Sequence, residues 1–242
     1  MHFRTLALSS LLPLIAFGQT KSLSLDSPKG LTLHNATAAS ATLKGKKGIK
    51  VTISPDALGR MADAAPKGGQ KKGGGPASGV DVLGIADGVE FSNGTIEVDL
   101  AGEPGPGAGG GARGFAGVAF RVQPDRKTYD CFYLRPTNGR AEDQERRNHS
   151  AQYIMHPTYT WFKLREETPS KYESYVDIQP AEWIHVKIEV DGEKARLFVN
   201  GGSQPTLIVN DVKSGASGKG GVALWLEGST IAHYANLKIT SR

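Results

Sequence analysis

Trp183–Gly201 reads WIHVKIEVDGEKARLFVNG. Ile184, Val186, Ile188 and Val190 alternate with His185, Lys187 and Glu189. The chain turns at Asp191-Gly192, and Ala195, Leu197 and Val199 resume the alternation. A period of two sends aliphatic side chains to one face and polar ones to the other, the pattern of half-buried antiparallel strands joined in a hairpin. The same period recurs on either side, at Ile49/Val51/Ile53, at Ile96/Val98/Leu100 against Glu97 and Asp99, at Val222/Leu224/Leu226 and at Leu237/Ile239. One helix is expected, with Ser54 as cap, Pro55 in the first turn and Asp56–Ala65 following. Roughly a dozen short strands and one helix predict an all-β fold of two antiparallel sheets packed face to face. Trp183, Trp225 and Phe198 are read as packing residues.

The first eighteen residues have the form of an export signal. Arg4 supplies a positive charge, Leu6–Phe17 is largely apolar, and Ala16 and Gly18 precede Gln19 as small residues. The run is too short to span a bilayer as a helix. The expectation is an exported protein, periplasmic, secreted or at the cell surface, with no membrane span in the mature chain. About 220 residues remain, enough to bury a core without staples. Cys131 is the only cysteine, so no intramolecular disulfide forms, and its apolar-aromatic surroundings suit packing.

Two segments are rich in glycine: Pro66–Gly79 (PKGGQKKGGGPASG) and Gly102–Gly114 (GEPGPGAGGGARG). Both read as loops, the second as a long hairpin loop rising from a sheet edge. It is not a phosphate loop, because a strand-like run and no helix follows it. The net charge of +5 owes much to lysines in the first of these loops, a solvated pattern that points away from nucleic acid. Residues 19–79 are expected to supply the first strands and a glycine-rich loop of the same sandwich, and residues 80–242 the main jelly-roll domain.

The C-terminal third carries a resemblance. WIHVKIEVDGEKARLFVNG, PTLIVNDV and GVALWLEGSTIAHYANLKI, with FSNGTIEVDL upstream, resemble the concanavalin A-like lectin/glucanase superfamily. The branch most alike contains laminin-G-like domains and the bacterial 3-keto-disaccharide hydrolase-type domain. The shared features are the VNG hairpin end, the strand GVALW and a last strand of the form Tyr234-x-Asn236-Leu237-x-Ile239. The resemblance implies a concanavalin A-like jelly-roll sandwich. It implies less about activity, because this fold carries binding modules and hydrolases alike.

The most unusual stretch is Arg135–Tyr153, RPTNGRAEDQERRNHSAQY, followed by His156, Tyr159 and Trp161. Exposed ion pairs add little stability, so such a density of charge calls for another reason. Planar polar groups beside aromatic faces suit sugars, which present hydroxyl edges and C–H faces. The leading expectation is a carbohydrate-recognition domain. Arg135, Asn138, Arg140, Arg146, Arg147 and Asn148 would hydrogen-bond hydroxyls, while Tyr153, His156 and Trp161 would stack. The competing expectation is hydrolysis of a glycosidic bond of a disaccharide, keto-disaccharide or polysaccharide, with Glu142 or Asp143 as acid or base and His149 or His156 assisting. A third is a surface or adhesion module for a protein partner, and the bland alternative is a loop braced by its own ion pairs. Glu97, Asp99 and Glu103 resemble the catalytic strand of laminarinase-like glycosidases, but the last glutamate falls too far along the chain. The histidines have no metal-binding spacing. No cofactor is expected. Calcium, which some laminin-G-like domains bind, is the alternative, although no calcium-loop spacing is present.

Overall fold

The computed structural model describes residues 18–63, 80 and 82–242. The expected export signal, apart from Gly18, and the glycine-rich segment 66–79 lie outside the described residues. In chain order the strands are β1 (Gln19–Leu23), β2 (Leu31–His34), β3 (Ala36–Leu43), β4 (Lys46–Ile53), β5 (Val82–Ala86), β6 (Gly94–Pro104), β7 (Ala116–Val122), β8 (Tyr129–Leu134), β9 (Ala151–His156), β10 (Glu173–Ser174), β11 (Ile184–Asp191), β12 (Lys194–Val199), β13 (Leu207–Val209), β14 (Gly221–Leu226) and β15 (Thr230–Ser241). Among the described residues three short α-helices and a single 3-10 turn (Pro136–Asn138) intervene: α1 (Pro55–Asp63), α2 (Gln144–Asn148) and α3 (Trp161–Glu167).

The strands form two sheets with antiparallel pairing throughout. One runs β13-β12-β11-β6-β15-β4-β3, with β1 also pairing β15; the other runs β10-β9-β8-β7-β14-β5-β2. This is the jelly-roll sandwich that the alternation and the resemblance imply. Strands β1, β3 and β4 belong to the first sheet and β2 to the second.

Register follows hydrophobicity. Ile188 lies opposite Ile96 and Leu197, and Val186 opposite Val98 and Val199, all buried. Burying side chains of this size contributes about 1.5–3 kcal/mol each. Their neighbours Lys187 and Glu97, also opposite one another, point outward. The registry of β15 slips between Ala235 and Lys238, where Asn236 takes a φ of 56°. Asparagine tolerates this left-handed backbone better than most residues, and its amide donates to Asp99 Oδ2 at 2.8 Å. The asparagine in the last-strand pattern is therefore a bulge residue.

The glycine-rich loop after Gly102 is not a hairpin loop. Strand β6 lies in one sheet and β7 in the other, so the loop crosses between sheets. Its flanks run very close: a Cβ on Gly102 would come within 2.2 Å of the Gly114 carbonyl oxygen.

Arg121 ties loops together from inside. It is 1% exposed, sits at φ 54°, and donates to the carbonyls of Ser92, Gly192 and Gly215 and to Ser214 Oγ.

Candidate functional site

Strand β8 divides its side chains as alternation requires. Phe132 packs with Phe120 and Tyr153 on the inner face. On the outer face Tyr133 stacks on Trp225 with ring centroids 4.9 Å apart. These two residues both pair with Gly117, which stands between them. A Cβ there would meet Tyr133 Cα and Cβ at 2.6 Å, so glycine is what lets the rings meet. Tyr129 continues this face, accepting from Trp225 Nε1 at 2.9 Å and stacking on His156.

At the end of β8 the same face carries Arg135, which is 4% exposed. Its guanidinium donates to the His149 carbonyl at 2.9 Å, to Tyr133 Oη at 2.9 Å and to Gln152 Oε1 at 3.1 Å. It also lies 5.6 Å from the centre of the half-buried Trp161 ring. Glu173, on β10, is the carboxylate of this corner, with a side chain only 3% exposed. Arg165 from α3 reaches it with Nε at 3.1 Å and Nη2 at 2.5 Å, and Arg135 Nη1 is 3.6 Å away. Arg165 also covers Trp161, 4.6 Å from the ring centre. A buried ion cluster of this kind is poor value as a stabilising device, since desolvation offsets its attraction.

His149 completes the corner. The polar tract is not a plain loop: Asp143 caps α2 by accepting from the Arg146 backbone N–H at 3.2 Å, and His149 ends the helix by donating its backbone N–H to Arg146. Its carbonyl is held by both Arg135 and Asn138. Its Nδ1 lies 2.6 Å from Glu173 Oε2, off the line of a ring N–H hydrogen bond. Nε2 lies 4.0 Å from Oε1 of the exposed Glu145. Burial lowers the pKa of His149, Arg165 and Arg135 lower it further, and Glu173 and Glu145 recover only part. The imidazole is therefore neutral near pH 7 and able to accept a proton.

The other expected site residues are distributed as follows. Asn138 is buried and links His149 to Arg146, whose Nη2 lies 3.5 Å from Asn138 Oδ1. Arg140 forms an exposed two-point ion pair with Asp177, at 2.6 and 3.1 Å. Arg147 lies over Tyr175 and donates to its hydroxyl, and Asn148 accepts from Gln144. Part of the tract thus satisfies itself on the surface. Glu142 is exposed, while Asp143 is committed to its helix cap, so the two do not face a common point. Tyr153 has no exposed face to offer a sugar; it donates to Asp130 Oδ1 and accepts from the Lys213 N–H inside the core. His156 rests on Tyr129 with Nδ1 3.3 Å from the Lys127 carbonyl. Glu97 and Asp99 lie on the other sheet. Asp99 is engaged by Asn236, His185 and Lys46, which together overcome the effect of burial and lower its pKa. Among the described residues no three His, Cys, Asp or Glu side chains converge as a metal-binding group, and no helix is long and apolar enough to cross a membrane.

Sequence reasoning missed Glu173, the carboxylate that Arg135 faces, and Arg165, which pairs with that carboxylate from α3. A model of the 3-keto-alpha-glucoside-1,2-lyase-like domain family matches residues 75–240. The chain belongs to this family. No curated protein sequence matches it. Among solved structures, the carbohydrate-binding module CBM66 from Bacillus subtilis aligns at 15% identity and a TM-score of 0.52, covering 87% of this chain and 95% of that one. A Bacillus subtilis protein of unknown function with a galectin-like fold aligns at 12% identity and a TM-score of 0.53, covering 92% and 96%. At these identities the likeness is one of fold.

Proposed function

We propose that this family member binds a sugar at the Trp161–Arg135–Glu173 corner and cleaves a 3-keto-α-glucoside by elimination. The observation that carries the reading is His149, a neutral imidazole set against a buried carboxylate that two arginines hold in place.

A ketone at C3 of the sugar acidifies the proton on C2. His149 Nε2 takes that proton, and the electron pair of the C–H bond moves onto the ketone oxygen as an enolate. The pair then returns to form a C1=C2 double bond as the C1–O bond breaks, and the departing alkoxide takes up a proton. No water is consumed. Arg165, partly exposed beside Trp161, is placed to stabilise the enolate oxygen. Glu173 is a positioning residue that stabilises the imidazolium. Such a reaction needs one base and one cationic partner. Hydrolysis of an ordinary glycoside uses two carboxyl groups across the scissile bond, and neither Glu142 with Asp143 nor Glu97 with Asp99 offers that arrangement. The expected export signal would put this chemistry outside the cytoplasm.

The test is to incubate purified protein with a 3-keto-disaccharide in heavy water and, separately, in ¹⁸O-water. Elimination predicts deuterium exchange at C2, an unsaturated product without ¹⁸O at the bond-breaking step, and loss of both exchange and cleavage in His149→Ala. Hydrolytic ¹⁸O incorporation at C1, or full activity in His149→Ala, would sink the proposal. A second reading, recognition without turnover, is favoured by the Trp161 face and its two guanidiniums. Calorimetric binding of the same sugar without any C2 exchange would establish it instead.

A further inference from the structure

The second sheet carries a cleft at the opposite end from this corner. Arg135 follows β8 at the end where Leu134 pairs with Ala116, whereas the cleft opens at the other end of β7, beside Val122. Its volume is about 600 Å³, within the range of small-molecule sites. Ile85, Val89, Val122 and Pro124 give it apolar surface. Two glycines leave room for it. Gly221 lies where β14 slips in register against β7, and a Cβ on the preceding Gly220 would meet the Val122 carbonyl oxygen at 2.5 Å.

The walls are set before any ligand arrives. One wall is the segment from Asp87 to Glu90. The Asp87 N–H donates to the Gly30 carbonyl at 2.9 Å, and Phe91 exchanges both backbone hydrogen bonds with Gly220, at 2.7 and 3.0 Å. The other wall is the turn from Gln123 to Thr128. The Gln123 N–H donates to the Thr128 carbonyl at 2.8 Å, and the Asp125 carboxylate accepts from the Lys127 and Thr128 N–H groups at 2.8 and 2.9 Å. Ordered walls reduce the entropy that binding costs.

Both walls carry polar groups with capacity left over. Thr32 Oγ1 donates to Asp87 Oδ1 at 2.7 Å, which leaves Oδ2 to accept. Gln123 Nε2 donates to the Arg121 and Lys219 carbonyls at 2.9 and 2.7 Å, which leaves Oε1 to accept. Among the described residues the Arg126 guanidinium has no hydrogen bond or ion pair. Glu90 and Lys219 approach only to 3.8 Å, and both side chains are exposed. An anion would meet Asp87 and Glu90, and a cation would meet Arg126 and Lys219. A hydroxyl both donates and accepts, so a neutral polyol can use the two walls together. A peptide strand would need unpaired main-chain groups, and those of Gly220 are taken by Phe91.

We propose that this cleft is a second sugar-binding site, which takes a neutral glycan and holds the protein on a polysaccharide independently of the Trp161 corner. It does not depend on the lyase reading.

Amide NMR titration of the ¹⁵N-labelled full chain with maltotriose, cellotriose and a fructotriose tests it. At least one should shift the Gly88, Gly220 and Gly221 amides saturably, with a Kd in the millimolar range. The shifts should persist at about 0.5 M salt and in Trp161→Ala. Affinity should fall about fivefold or more in Arg126→Gln and in Glu90→Gln; both side chains are exposed, so neither change should disturb the fold. No shift at these glycines with any of the three sugars up to about 50 mM, or undiminished affinity in both variants, overturns the proposal. Loss of the shifts in Trp161→Ala would make the cleft part of the corner and overturns it as well. Stronger shifts with the dipeptide glutamyl-lysine than with any trisaccharide would assign the cleft to a zwitterion instead.

Discussion

Replacing Glu173 by glutamine keeps the volume of the side chain and removes its charge. The carboxylate is 3% exposed and faces Arg165 at 2.5 Å, His149 at 2.6 Å and Arg135 at 3.6 Å. Glu173→Gln leaves the two guanidiniums without their anion. Breaking a buried pair by removing one partner costs about 3–5 kcal/mol. Arg165 has a side chain 32% exposed and can turn to water, so the low end applies, about 3 kcal/mol. For a protein of this size that lowers Tm by roughly 6–12 °C. Urea unfolding with an unchanged m value should give the same loss. In a double-mutant cycle, Arg165→Gln should cost at least about 1 kcal/mol less in the Glu173→Gln background than alone. Activity should report the same loss. Glu173 raises the pKa of His149, so its removal should shift the acid limb of the kcat/KM profile to lower pH while the rate falls about a hundredfold or more. A Tm drop under roughly 3 °C, additive double mutants and an unmoved acid limb would together refute the idea that this carboxylate organises the corner.

His149 has a folded pKa below its ordinary 6.5. The unfolded chain therefore takes up its proton first as pH falls, so this residue costs stability below about pH 6.5, and the acid limb of kcat/KM, which needs the neutral form, should lie below that value as well. Asp211 is held by Lys171, Tyr172 and Lys213, which outweigh the effect of burial and lower its pKa to about 2. With a side chain 37% exposed, Asp211→Asn should cost about 1 kcal/mol at pH 7 after discounting for solvent, and a pH series of urea melts should show the difference vanishing as pH falls through about 2. Arg121→Met should destabilise by more than about 3 kcal/mol in thermal melts, since it strands several buried carbonyls at once. Trp161→Ala should weaken sugar binding by roughly tenfold or more in calorimetry and leave the fold intact by circular dichroism.

The alternation at Ile184–Val199 identified its own two strands and which of their residues face the core, because a two-residue period has one solution when one face is buried. The neighbours of a strand are less legible. Nothing local says that β6 and β7 lie in different sheets, so the glycine-rich segment between them read as a hairpin loop. The site was legible in part. Arg135, Asn138, Arg146, His149 and Trp161 belong to the stretch that the excess of charge singled out, although Arg140, Arg147 and Asn148 of the same stretch satisfy themselves on the surface. Glu173 is separated from it by α3 and lies on a strand of two residues, too short for any period, and only the pairing of Glu173 with Gln152 brings it in. Tyr153 was misread because an aromatic residue after polar ones looks surface-exposed, whereas β9 turns it inward onto Phe132.

The position of β15 has a consequence for assembly. It lies in the middle of its sheet, between β6 and β4. Without Thr230–Ser241, β13-β12-β11-β6 and β4-β3 are separate half-sheets, each with an open hydrogen-bonding edge. Exposed edges of this sort pair readily with other chains. One strand therefore decides whether the two halves become a single sheet, and its loss would turn an inner seam into two adhesive borders.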